Sequence, residues 1–328
     1  MSDNKPHLFT RLEDLPNELL FDLFEQYISI SDLNQGWVGL NQRINFILKS
    51  IKLSVSISSP TDQTPQFFIA QIYRVVVSSS CTSFSTDFPN LRSLSFQRAS
   101  DQHLSDIESN FILSNIVYLQ MKLSPNILAT TSSQFLKTVF SNKFSSLRKL
   151  CILDEFVFNT FTKLNSWSGS LSLRSISIII SANLHIYSAL LAACPNLVRL
   201  HLSVSFIDKN SLTTFHHTNL KHLQLRLSTS EWSFDMFERF LVCVPNLQRL
   251  VLQRFTWNVE KSNLNLENIH FVRILNQCLP YLHRFDCDIL FHSRANTINI
   301  NNLRQLHSCF TRIQLERKDE IERLYTNN

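Results

Sequence analysis

A chain of 328 residues with a hydrophobic fraction of 44% can fold as two ordinary domains, or as one extended array behind a small module. Its formal net charge of +5 is too small to argue for nucleic acid, and no stretch reaches the ~18 unbroken apolar residues of a membrane span. Glycine excludes more: only Gly36, Gly39 and Gly169 are present, whereas phosphate-cradling loops and dinucleotide fingerprints need clustered glycines for tight turns.

At the amino terminus, residues 1–10 carry polar and charged side chains without an apolar run behind them, so they read as a disordered start and not as a signal peptide. No Asn-x-Ser/Thr sequon occurs. The seven cysteines are scattered, with no Cys-x-x-Cys pair. That pattern predicts reduced, buried thiols in the cytoplasm or nucleus, with neither a disulfide framework nor a metal or other cofactor.

Residues 11–50 predict a small helical module. In Leu15-Pro16-Asn17-Glu18, proline stands at a helix start, with Asp14, Glu18 and Asp22 near the end of the helix dipole that favours acids. Leu19, Leu20, Leu23, Phe24, Tyr27 and Ile28 then give an apolar stripe at helical spacing. Ser31 is placed to cap a second short helix through Asp32 and Leu33, and Val38, Leu40, Ile44, Ile47 and Leu48 predict a third. The module resembles the F-box, the motif by which substrate receptors of cullin–RING ubiquitin ligases hold a Skp-type adaptor. The matching positions are Leu15, Pro16, Glu18, Leu19 and Leu20, then Tyr27, Asp32-Leu33 and Val38; Ile44 stands where that family often has tryptophan. The resemblance implies that Leu15, Pro16, Glu18, Leu19, Leu20, Leu23, Leu33 and Val38 bind the adaptor. The other reading is that the module only caps the open end of a repeat array, which every array needs.

From residue 51 to about 300 a short string recurs: a turn residue, then Leu-x-x-Leu-x-Leu or a close apolar equivalent. Copies begin at Leu91, Ile116, Leu147, Leu173, Leu197, Leu220, Leu247 and Leu282, spaced 23 to 35 residues apart. Ile72-x-x-Val75-x-Val77 is a fainter copy, and Leu53, Val55 and Ile57 suggest an opening strand. The last two apolar positions of each copy alternate with polar ones, as in a short strand with one buried face. Stretches with a period near 3.6 lie between them: Phe135, Leu136, Val139 and Phe140; Ile186, Ala189, Leu190 and Ala193; Phe234, Phe237, Phe240 and Leu241. Cys194-Pro195, Cys243-Val244-Pro245 and Cys278-Leu279-Pro280 predict helix stops with a small thiol packed behind the next strand. The string resembles the leucine-rich repeat, particularly its cysteine-containing kind. The fold expected is therefore α/β, a solenoid of short parallel strands backed by helices, behind the three-helix module and before a cap and tail at 301–328.

In such a solenoid, residues alternating with the buried leucines line the concave face of the sheet. The first column there reads Ser93, Tyr118, Lys149, Ser175, Arg199, His222, Arg249 and Arg284, and the next columns add Lys122, His201 and Arg226. Stacked like charges repel unless a partner relieves them, so Lys149, Arg199, His201, His222, Arg226, Arg249 and Arg284 form a candidate surface for an acidic or phosphorylated target. Ordinary solvated strand positions are the alternative. His216-His217 reads as a solvated turn, and Asp286 with Asp288 as two surface carboxylates. No catalytic motif is found, and the expectation is a binding protein and not an enzyme: a substrate receptor of a ubiquitin ligase, or a ligase-independent scaffold, without nucleic-acid or membrane partners.

Overall fold

The computed structural model describes residues 15–59, 62, 64–81, 88–109, 114–156, 167–180, 184–204, 216–227, 234–257, 264–292, 300–318 and 321–326. Residues 1–10, expected to be disordered, and Asp14 lie outside the described residues. Ten parallel strands stack side by side in chain order: β1 (Leu53–Ile57), β2 (Ile72–Val77), β3 (Ser93–Ala99), β4 (Tyr118–Leu123), β5 (Lys149–Phe156), β6 (Ser175–Ile180), β7 (Arg199–Val204), β8 (His222–Leu227), β9 (Arg249–Trp257) and β10 (Arg284–His292). The second apolar position of the repeat forms one column across the sheet: Val75, Leu94, Leu119, Leu150, Ile176, Leu200, Leu223, Leu250 and Phe285. The third forms another, from Val77 through Phe96, Met121, Ile152, Ile178, Leu202, Leu225 and Leu252 to Cys287. Every residue of both columns is buried. The register thus follows from the sequence spacing, because a one-residue slip would turn each column to solvent.

Helices α4 (Asp101–Ser109), α5 (Ala129–Val139), α6 (Leu184–Ala193), α7 (Phe234–Val242) and α8 (Leu264–Cys278) lie between strands. The longest repeat, from Leu247 to Leu282, holds the longest helix among the described residues, the 15 residues of α8. Phe135, Leu136, Val139, Phe140, Leu190, Ala193, Phe237, Phe240 and Leu241 are buried as their spacing predicts, while the side chains of Ile186 and Phe234 lie outside the described residues. Among the described residues no helix is long and apolar enough to cross a membrane. Cys194, Cys243 and Cys278 are buried free thiols at helix ends, and burial pushes the Cys278 pKa up to about 11.

Two further ladders run beside the leucines. In five repeats the residue before the first leucine donates its side chain to a backbone carbonyl of the preceding repeat. These are Asn90 to Ala70 (2.8 Å), Ser172 to Phe144 (3.1 Å), Asn196 to Leu171 (2.9 Å), Asn219 to Pro195 (2.9 Å) and Asn246 to Thr218 (3.0 Å). The turns would otherwise leave those carbonyls unpaired at the seam. His217 corrects the expectation of a solvated turn, because it is buried and joins three repeats. Its Nε2 sits 2.8 Å from the Cys194 carbonyl, its Nδ1 accepts the Leu220 N–H, and its own N–H donates to the Cys243 carbonyl.

The chain closes the sheet differently at its two ends. The segment expected as a cap and tail forms α9 (Ile300–Leu306), a single 3-10 turn, and an antiparallel pair, β11 (Ile313–Lys318) with β12 (Ile321–Thr326). Strand β12 pairs antiparallel with β10, so the tail extends the sheet instead of trailing from it.

At the other end stand α1 (Asn17–Gln26), α2 (Ile30–Gly36) and α3 (Gln42–Ser50). Ser29, and not Ser31, caps α2, its hydroxyl accepting the Asp32 N–H; the helix starts two residues earlier than the spacing suggested. Asn41 caps α3 in the same way. Gly39 adopts φ +85° in the turn between them, a backbone that L side chains rarely take, and donates its N–H to Asn45. Trp37 packs edge-on against Phe24, 4.8 Å between ring centres, so the early tryptophan stabilises the module from inside. Ile51 and the bond from the Lys52 N–H to Glu25 carry the helices directly into β1.

Truncating Leu223, which sits mid-column, is expected to cost about 2–5 kcal/mol of unfolding free energy, as for other core leucines. Gln224→Ala on the opposite face is expected to stay within about 0.5 kcal/mol. Urea unfolding of the two variants checks this, and equal losses would contradict the assigned register.

Candidate functional site

Because the leucine columns are in register, the residues between them are too. Across the face turned away from the buried leucines, Arg74, Ser93, Tyr118, Lys149, Ser175, Arg199, His222, Arg249 and Arg284 pair strand by strand. His201 pairs with Ser177 and Gln224 in the next column, and Arg226 with Ser203 and Gln253 in the one after. The structure therefore brings Arg199, His201, His222, Arg226, Arg249 and Arg284 onto one face of four adjacent strands. Lys149 lies apart from them, two strands before Arg199, with its ammonium 4.9 Å from the centre of the Tyr118 ring.

The basic ladder is not uniform. The side chains of Arg199 and Arg226 make no hydrogen bond or ion pair among the described residues. Arg249 and Arg284 do, and Asp286 is the reason. Expected as a surface carboxylate, Asp286 is buried, with its side chain only 6% exposed. Arg249 donates to its Oδ2 from Nε (3.0 Å) and Nη2 (2.7 Å), and Arg284 Nε lies 2.8 and 3.1 Å from its two oxygens. Arg312, in the turn before β11, adds a third guanidinium at 3.6 Å. The repulsion between Arg249 and Arg284 is thus relieved from within the chain, and Asp286 is the residue that sequence reasoning missed. The alternation of Arg284 and Asp286 was the available signal; the covering by Arg312 was not visible. Asp288 is likewise paired, accepting from Arg323 Nε at 2.7 Å. Among the described residues no group of His, Cys, Asp and Glu could hold a metal.

The two histidines of this face are neutral at pH 7 for related reasons. Burial first, then Arg199 and Arg249, holds His222 below the usual imidazole pKa; burial and then Arg226 do the same for His201. His201 Nδ1 lies 3.2 Å from the Ser177 hydroxyl, while its buried Nε2 has no hydrogen-bond partner among the described residues.

The helical module sorts the other expected residues. Leu20 and Leu33 are fully buried in its core, so they cannot touch an adaptor as the resemblance implied; they hold the module together. Leu15, Leu23 and Val38 are half-buried, whereas Pro16 and Glu18 are exposed and Leu19 is 51% exposed. Helix α1 therefore carries two apolar stripes. Leu20 and Phe24 face inward, while Leu19, half-buried Leu23 and, just past the helix end, Tyr27 lie four residues apart along another side, where Tyr27 is 77% exposed. Leu40 and Phe46, at 52% and 69%, add further exposed apolar surface on the following turn and on α3.

No family model matches this chain, and no curated protein does. Among solved structures it is similar to a chain in the crystal structure of the mouse RP105/MD-1 complex, at 16% identity and a TM-score of 0.44. The likeness covers 76% of this chain and spans 41% of that one.

The histidines generate a pH dependence. The unfolded chain takes up these protons near pH 6.5, while the folded one resists until a lower pH, so stability falls as pH drops below about 6.5. Replacing His201 and His222 by glutamine is expected to flatten the fall in urea midpoint between pH 7 and pH 5. Parallel pH profiles for the variant and the parent would contradict it.

Proposed function

We propose that the protein is a substrate-recognition subunit of a Skp–cullin–F-box type ubiquitin ligase, working in the cytoplasm or nucleus. In this reading α1–α3 hold the adaptor, the face of the sheet holds a target protein, and the transfer chemistry belongs to other subunits. The observation that carries it is the exposure of Leu19 and Tyr27 at the two ends of a second apolar stripe along α1. A module whose only task was to cap the solenoid would have its apolar residues turned inward. Here Leu20 and Phe24 are buried inward while Leu19 and Tyr27 still face solvent, which asks for a second partner. The exposed apolar side chains of Leu40 and Phe46 add to the same demand.

A second reading, a ligase-independent interaction scaffold, is favoured by the tightness of the join. Ile51 is buried and the Glu25 carboxylate is fixed on the Lys52 N–H, as a cap would require. The two readings separate on adaptor capture.

Leu19→Glu with Tyr27→Glu alters only exposed positions of that stripe. Each buried apolar side chain lost is worth about 1.5–3 kcal/mol, so adaptor affinity is expected to fall by more than about a hundredfold. Co-purification with a Skp-type adaptor measures it, and circular dichroism should remain unchanged. Capture that survives the double substitution, or that is absent from the parent protein, would sink the ligase reading and leave the scaffold.

A further inference from the structure

We propose that Arg249, Arg284 and Arg312, gathered around Asp286, form a socket for a phosphate monoester on the target. This deepens the reading of the sheet face as the target surface and rests on it. Three guanidiniums converge on one carboxylate from three separate places in the chain: β9, β10 and the turn before β11. Around that buried anion the guanidiniums outnumber the carboxylate. A phosphate monoester carries about −1.5 to −2 charges at neutral pH and meets such an excess better than a second carboxylate does.

Asp286 supplies order as well as charge. Free guanidiniums so close together would repel and spread, and a ligand would have to regather them. Held on one carboxylate they are already placed, so less side-chain freedom is lost on binding. The donors left over point to the same use. Arg284 engages Asp286 through Nε alone, so its two terminal nitrogens make no hydrogen bond among the described residues, and neither does Nη1 of Arg249. Arginine's planar fork is suited to taking two phosphate oxygens at once. All three side chains remain between 38% and 47% exposed, so the socket is open to solvent. Arg199, two strands away beyond neutral His222, is exposed and adds positive potential without entering the cluster.

The test uses the full chain and fluorescent peptides of mixed flanking sequence, carrying phosphoserine, serine or glutamate at the centre. Anisotropy is expected to show the phosphoserine form at least about tenfold tighter than either other form, an effect worth one decade of Kd or ~1.4 kcal/mol. Arg284→Gln with Arg312→Gln should abolish the preference, and Arg284→Lys, which keeps the charge but loses the fork, should weaken it. Asp286→Asn adds net positive charge yet should also weaken it, since the forks lose their anchor. Tighter binding by Asp286→Asn would overturn the socket in favour of simple charge density. Equal binding of the phosphoserine and glutamate forms would overturn the phosphate assignment. A single-stranded oligonucleotide bound as tightly as the phosphopeptide would overturn the choice of a protein target. An unchanged preference in the arginine variants would mean that the cluster only ties the last strands together. Adaptor capture from the same preparations keeps the outcomes apart: its loss with the phosphate preference intact fails the ligase reading alone, and the reverse fails the socket alone.

Discussion

A strand with one apolar face and a helix with one apolar stripe cannot bury enough surface by themselves, and every feature of this chain follows from how that shortage is met. Each repeat completes the core of its neighbour, so Leu200, Leu223 and Leu250 are buried only because all three strands stand in one register. The asparagine ladder and His217 hold the seams where the turns would otherwise leave carbonyls unpaired. Once the inward columns are aligned, the outward ones have no freedom left. Arg199, His222, Arg249 and Arg284 therefore stand in line as a geometric result of the leucines between them.

A stack of this kind has two ends that still expose apolar surface and unpaired strand edges. At the start, α1–α3 run directly into β1 and continue the same core. At the finish the chain reverses direction, and antiparallel β11 becomes the outermost strand with exposed Glu316 and Arg317. Charged side chains there discourage further strand pairing. The same closure delivers Arg312 to Asp286, so completing the fold at its carboxy end also completes the arginine cluster. The amino end shows the opposite economy: its helices satisfy the core and still present an apolar side to solvent.

Much of this was legible in the sequence because period-two alternation and a recurrent leucine string are local signals. The strands, the buried columns and the helix-end cysteines all fall where the spacing put them. What stayed hidden depends on contacts across the chain. Asp286 reads as one more polar strand residue until Arg312 covers it from beyond α9. His217 reads as half of an exposed pair until the repeats before and after it supply a carbonyl each. Along α1 the hydrophobic pattern alone could not tell an inward stripe from an outward one, so Leu20 and Leu33 joined the expected docking residues although both are core. Ser29 and Ser31 are equally good caps by type, and only the backbone decides between them.

The central claim is that successive repeats add one strand each to a single parallel sheet. Spin labels on half-buried positions of the face measure that directly by pulsed electron resonance. Replacing Tyr118 and Arg284 by labelled cysteines, with Cys151 changed to serine, spans β4 to β10; Ser175 with Arg284 spans β6 to β10. At ~4.8 Å per strand the separations should be about 29 Å and about 19 Å, shortened somewhat by any curvature and each narrowly distributed. Distances that fail to scale with the number of strands crossed, or broad distributions for both pairs, would contradict the single registered sheet and everything placed upon it.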